Sequence, residues 1–204
     1  VAWLITFGVA TLLWLALALF FRHYRIWLPF YTVASVGLAF LLILAGTHLL
    51  PLERWLEMGV AYSTHAICQV IGIPTRVFQA APDILVWVIV QEPGWTVVRV
   101  DLECSGLLEM AVMAGLLLFY PAWTIGKRVR LTLLGWIATY GANVVRIVSI
   151  ILILHVFGKR TIFIAHVIIG RLIFFTLVAG LYWTLLTKPT IHTLAERLRE
   201  RMRT

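Results

Sequence analysis

Four stretches of the chain, Val1–Phe21, Ile26–Leu50, Leu131–His155 and Thr161–Leu186, are apolar almost without a break. Each supplies the roughly 20 residues that about 30 Å of hydrocarbon demands of a spanning helix. A fifth helix is expected from Ser105 to about Trp123. Between the second and the fifth the pattern changes twice. After Pro51, Leu52–Gly72 opens with Glu53, Arg54 and Glu57, and its apolar part, Met58–Ile73, is interrupted by Ser63, Thr64, His65 and Gln69. This predicts an interfacial or re-entrant helix rather than a span. Ile84–Val90 is a β-rich apolar run, and Val98–Leu102 alternates apolar with charged residues, as a half-buried strand does. Glu92-Pro93-Gly94 between them places Pro before Gly, the order a type II turn favours. The pattern thus predicts an all-α membrane protein with about five transmembrane helices, an interfacial helix and a small outer-face β-hairpin. Residues 1–187 form one multi-pass membrane domain, with 52–103 as its outer-face helix and hairpin, and 188–204 form a basic cytoplasmic tail.

Composition excludes a water-soluble domain: of 204 residues 62% are hydrophobic and only 13% charged. The net charge of +8 does not point to nucleic acid, because Lys and Arg fall in short clusters between apolar runs. Those clusters orient the chain. Arg22 with Arg25, then Lys127, Arg128 and Arg130, then Lys188 through Arg203 belong on the cytoplasmic side by the positive-inside rule. The N-terminus is then outside and the tail inside, and a crossing by Leu52–Gly72 would put the last two groups on the wrong side. Trp3, Trp27, Trp55, Trp95, Trp123 and Trp183 fall near span ends, as an aromatic belt requires. The first apolar run is of full span length, without a basic leader or a cleavage pattern, so no signal peptide is expected. Ala195–Met202, alternating Glu and Arg, reads as a solvated or lipid-surface helix. The two cysteines, Cys68 and Cys104, form no CxxC, and His48, His65 and His155 share no spacing with carboxylates. Neither a metal site nor a disulfide framework nor a cofactor is expected, and Cys68 reads as a packing residue of the interfacial helix.

Ionisable groups inside spans are costly and carry functional weight; here they are Glu109, Arg146, His166 and Arg171. Cys104 stands where its helix begins at the outer face. Arg146 lies about 15 residues into an outward-running helix, or about 22 Å along it, which brings it near the same face. His166 falls in the second turn of the next, inward-running helix. Singly, these residues have ordinary roles as a packing cysteine, a snorkelling arginine and a hydrogen-bonded histidine. Together they bring a thiol, a guanidinium and an imidazole to one depth. A cysteine at a helix N-terminus beside a cation favours the thiolate. Arg146 stays protonated and is suited to stabilising a thiolate or an oxyanion, while His166 is the proton shuttle. Asn143, on the same helical face as Arg146, is placed to orient it or to join the oxyanion site. Glu109 and Arg171 lie about a turn and a half deeper and are expected to pair across helices as bundle glue. Gly170 permits close helix approach.

These residues resemble a known family, the exosortase/archaeosortase membrane transpeptidases. The likeness rests on Cys104-Ser105-Gly106 after a β-rich outer segment, on Asn143-Val144-Val145-Arg146-Ile147, and on His166 with Gly170 and Phe174 at four-residue steps. It runs from about Gly72 to Leu186, with the first 71 residues alike only as generic spans, and is nearest to the shorter Gram-positive branch called exosortase G. The resemblance implies a membrane-embedded cysteine protease or transpeptidase in the cell membrane, with its active site facing outside. Its substrates would be membrane-tethered proteins that end in a short motif, a transmembrane helix and a basic cluster. Cleavage would run through a thioester to an unidentified acceptor, with Cys104 as nucleophile, Arg146 as stabiliser and His166 as acid/base. Glu103 departs from the small residue common before the cysteine, and would raise the thiol pKa by like-charge proximity or orient the imidazole. Arg171 has no family role. The competing reading is a non-enzymatic component of polysaccharide or lipid export whose arginines bind anionic headgroups.

Overall fold

A computed structural model describes residues 2–80, 83–89 and 95–191. The expected Glu92-Pro93-Gly94 turn and the Ala195–Met202 helix lie outside them. Helices α1 (Ala2–His23) and α2 (Trp27–His48) form a hairpin whose turn places Arg25 in the left-handed region, φ 55°. Trp14 of α1 lies against Gly37 of α2 and donates its indole N–H to the Val33 carbonyl at 3.1 Å. On its other side α2 packs against α5 (Leu107–Leu118), so closely that a Cβ on Gly115 would run into the Ser35 backbone carbonyl. Small residues let helix backbones meet in this way where no hydrophobic force drives them together.

Among the described residues four helices are long and apolar enough to cross a membrane: Trp3–His23, Trp27–His48, Ile125–Phe157 and Ile164–Ile191. The expected fifth span is shorter than its sequence suggested. Its helix does not run from Ser105 to Trp123 but is cut at Gly106 and ends at Leu118, ahead of Pro121, leaving 12 residues, about 18 Å. The helix after it, α6 (Ile125–Phe157), is longer than expected: Lys127, Arg128 and Arg130 lie in its first turns, not in a loop. Arg128 explains the extension, because its guanidinium donates to the carbonyls of Trp123 (2.8 Å) and Leu118 (3.0 Å) and so ties the connection to the helix. At 33 residues α6 is about 50 Å long. That is about 20 Å more than the hydrocarbon layer requires, and its C-terminal end, from Val144 to Leu154, joins the core of the rest of the fold.

That end is wrapped by α3 (Leu52–Ile71) and a sheet. Helix α3 has the length of a span but not the hydropathy. It buries Glu57, Val60, Ala61, Thr64 and Cys68, the spacing of one helical face. The sheet has three antiparallel strands in the order β1 (Thr75–Ala80), β2 (Asp83–Ile89) and β3 (Trp95–Val100), with Val77 opposite Val86 and Val86 opposite Val98. The expected hairpin is thus the second half of a larger sheet. Strand β1 escaped notice because it follows the α3 cap within a few residues: Gly72 is left-handed (φ 83°) and Ile73 donates back to the Cys68 carbonyl at 2.8 Å. Gln69 and His65 then hold Thr75 at 3.3 and 2.7 Å. Val86, Val98 and Val100 close over Val60, Ala61 and Cys68 of α3 and over Ile147, Ile151 and Leu154 of α6. Cys68 is free and fully buried in that core, in keeping with a packing role.

Candidate active site

Beneath the sheet the chain makes a single helical turn, α4 (Leu102–Ser105), closed by Gly106 at φ 77°. This left-handed residue ends α4 and caps α5, a conformation glycine adopts without penalty. Cys104 donates its N–H to the Asp101 carbonyl at 2.8 Å, and Ser105 Oγ bridges the Leu102 carbonyl (2.8 Å) and the Leu107 N–H (3.1 Å). Cys104 is fully buried. It precedes the cap of α5 instead of opening the helix, so the expected dipole stabilisation at a helix N-terminus does not apply.

Helix α6 grips this turn with two side chains one turn apart. Asn143 donates its amide N–H to the Cys104 carbonyl, and Arg146 donates Nη1–H to the Glu103 carbonyl at 3.2 Å. Both are buried, and the Arg146 guanidinium sits 5.3 Å from the ring centre of Phe174 in α7 (Gly170–Tyr182). Among the described residues Asn143 Oδ1 and Arg146 Nε have no hydrogen-bond partner, so each retains an unused valence at the turn. His166 lies on a π-helical turn, Ile164–Ile169, immediately before α7. Such turns recur at functional sites because they re-aim a side chain. The ring is half-buried and lies within the electrostatic reach of Arg146, Asp101, Arg171 and Glu103. Gly170 does allow close approach, since a Cβ there would stand 2.7 Å from Ile150 Cδ1 of α6.

The thiol is therefore surrounded by more charge than its own motif contains. Burial pushes its pKa up to about 11; the Arg146 charge pulls the other way but is outweighed, and the Asp101 charge raises it further. The resting group is a thiol, not the expected thiolate. The acidic neighbour acting on it is Asp101 rather than Glu103: the Asp101 carboxylate favours the protonated sulfur while its backbone N–H favours the anion. Sequence reasoning passed over Asp101 as the end of a strand. Its signal was position, for an Asp three residues before the cysteine sits at the N-cap of α4, where its carboxylate makes no capping hydrogen bond.

Glu103 instead pairs with Arg171 at 3.5 Å, both more than half exposed, an arrangement of little energetic weight. The expected Glu109–Arg171 pair does not form, because Arg171 reaches up to the turn and leaves Glu109 Oε2 buried without a partner among the described residues. Arg171, Arg146, Glu103 and Glu109 instead line a cleft of about 410 Å³, together with Leu108, Phe174, Phe175 and Val178. Among the described residues no three His, Cys, Asp or Glu side chains converge as metal ligands.

No curated protein and no solved structure matches the chain. The family model described as transmembrane exosortase does, over residues 1–183, which takes in the first 71 residues as well as the motif-bearing part. With that match across most of its length, this membrane protein belongs to the transmembrane exosortase family.

Proposed function

We propose that the protein is a membrane-embedded cysteine transpeptidase that cleaves C-terminal sorting signals and passes the new C-terminus to an acceptor through a thioester on Cys104. The observation that carries this reading is the grip of α6 on the turn of Cys104, where Asn143 and Arg146 hold the two successive carbonyls of Cys104 and Glu103. A buried thiol whose turn is tied down at two successive carbonyls is positioned, and positioning is a large share of catalysis.

The end of α6 with Lys127, Arg128 and Arg130 faces the cytoplasm, so the sheet end and Cys104 face outside. The donor's transmembrane helix lies against Leu108, Phe174, Phe175 and Val178 of the cleft, with its basic cluster on the cytoplasmic side, which brings the scissile peptide to α4. Because the thiol rests protonated, His166 takes its proton as sulfur attacks the carbonyl carbon and returns it to the leaving amine. Arg146, with Nε unused, and the Asn143 amide favour the charge that develops at sulfur and oxygen. An acceptor then resolves the thioester.

The test is co-expression of Cys104→Ala, Arg146→Ala and His166→Ala variants with a membrane-tethered protein that carries a motif, an apolar helix and a basic cluster at its C-terminus. All three are expected to leave the donor uncleaved. Processing by Cys104→Ala at the wild-type rate would overturn the proposal.

A further inference from the structure

The turn that holds Cys104 has a cavity on each side, Glu103 lining one and Asp101 and Leu102 the other. One is the cleft already described, where Glu103, Glu109, Arg146 and Arg171 balance two carboxylates against two guanidinium groups beside Phe174 and Phe175. The other, of about 570 Å³, is walled by the end of α2, the Pro51 turn, the first turns of α3 and the end of β3, and it shares Asp101 and Leu102 with the turn itself. Its lining carries three carboxylates, Glu53, Glu57 and Asp101, against two guanidinium groups, Arg54 and Arg99. Glu57 is buried and, like Arg99, already engaged; Glu53 is half-buried and Arg54 exposed. Charged walls of this kind demand water or a polar guest, and apart from the end of α2 they belong to α3 and the end of the sheet. Asp101, which lines the cavity, has its Oδ1 buried without a hydrogen-bond partner among the described residues.

We propose that this cavity is the acceptor site and that it takes a water-borne primary amine, with Asp101 as the base that deprotonates it. The inference rests on the thioester reading of Cys104 and adds a second entrance to it: the membrane-embedded donor arrives from the cleft and the acceptor from the opposite side of the turn. The amine enters as an ammonium ion, drawn by the excess of carboxylate, and gives one proton to Asp101. Its nitrogen attacks the thioester carbonyl, the C–N bond forms, and the C–S bond breaks with its electron pair on sulfur. The second proton passes from nitrogen through His166 to Cys104 and restores the thiol, while Asp101 releases its proton to water. The product is an amide, and no oxidant, reductant or metal is consumed.

The full chain in detergent micelles is acylated with p-nitrophenyl butyrate in the presence of equal concentrations of glycinamide, whose only charge is its ammonium group, and taurine, which also carries a sulfonate. Butyryl-glycinamide, butyryl-taurine and butyrate are then quantified by mass spectrometry. Each ratio is taken within one variant, so it does not depend on how much protein is acylated. The wild type is expected to favour glycinamide. Glu53→Lys should reduce that preference about fivefold, as reversal of one charge about 8 Å away in near-aqueous surroundings requires, and Arg54→Glu should increase it. Asp101→Asn should shift product from both amides to butyrate. Unchanged ratios in all three variants overturn the acceptor site while leaving the thioester reading intact. Butyryl transfer that persists in Cys104→Ala overturns the thioester reading and the acceptor site with it.

Discussion

Asn143 on α6 donates its side-chain amide to the main-chain carbonyl of Cys104, 39 positions earlier in the chain. This bond, with the one from Arg146 to the Glu103 carbonyl, fixes the short turn α4 to α6, the longest helix among the described residues. Replacement by Leu keeps the side-chain volume but strands a buried carbonyl, which costs about 1–3 kcal/mol. Asn143→Leu should therefore melt at a lower temperature in detergent, and its Cys104 should react faster with a small maleimide because the turn opens. Unaltered melting and labelling would show that the turn is held by other contacts.

Arg146 combines a charge with a planar fork, and the two uses are separable. The fork donates to Glu103 and lies over the Phe174 ring, whereas the charge acts on the Cys104 sulfur. Lys retains the charge without the fork. Arg146→Lys should keep a measurable fraction of donor cleavage, and Arg146→Ala should lose at least about a hundredfold, the scale of one oxyanion donor. Equal rates for the two variants would mean that the charge has no part in the reaction.

The raised pKa of Cys104 sets a pH dependence. With the thiol titrating at about 11, alkylation of the folded protein should rise about tenfold per pH unit from pH 7 to 10, since only the thiolate reacts. The unfolded thiol titrates near 8.5. The folded state holds this proton more tightly, so its contribution to stability is complete below about pH 8.5 and is lost as pH climbs towards 11. Cys68, raised by burial to about 11 as well, adds to the same loss. Melting temperature from pH 7 to 10.5 should accordingly fall more steeply in the wild type than in a Cys68→Ala, Cys104→Ala double variant. Parallel curves would place both thiols in a wetter setting.

Two glycines of the membrane helices should respond oppositely to alanine. Around Gly141, on the exposed side of α6, nothing lies within 4 Å of an added Cβ, so Gly141→Ala should stabilise by about 0.5–1 kcal/mol through helix propensity alone. At Gly115 the added methyl meets the Ser35 backbone carbonyl, which cannot rotate away. Gly115→Ala should separate α2 from α5 and lower the melting temperature or the folded yield. An unchanged yield and melting point for Gly115→Ala would refute the close α2–α5 contact.

Much of the site was legible from depth alone. The rise per residue is the same in every helix, so Cys104, Arg146 and His166 could be assigned to one level before any contact was known, and Asn143 could be put on the face of Arg146. The partner of Arg171 was not legible, because pairing depends on which way a long side chain turns, and it turns up to Glu103 instead of across to Glu109. Asp101 was hidden for a related reason: whether residue 101 ends a strand or caps a turn depends on Gly106, whose positive φ breaks the helix ahead of α5.

The sequence by itself determined the apolar helices and the shared level of Cys104 and Arg146. These follow from local quantities, namely hydropathy over a span, rise per residue and the cost of burying charge. Only the tertiary structure decided the third strand, the one-turn helix of Cys104, the carbonyls that Asn143 and Arg146 hold, and the burial that keeps the thiol protonated. Those features depend on how the helices are rotated about their axes and how closely they approach, which is settled by contacts between residues far apart in the chain.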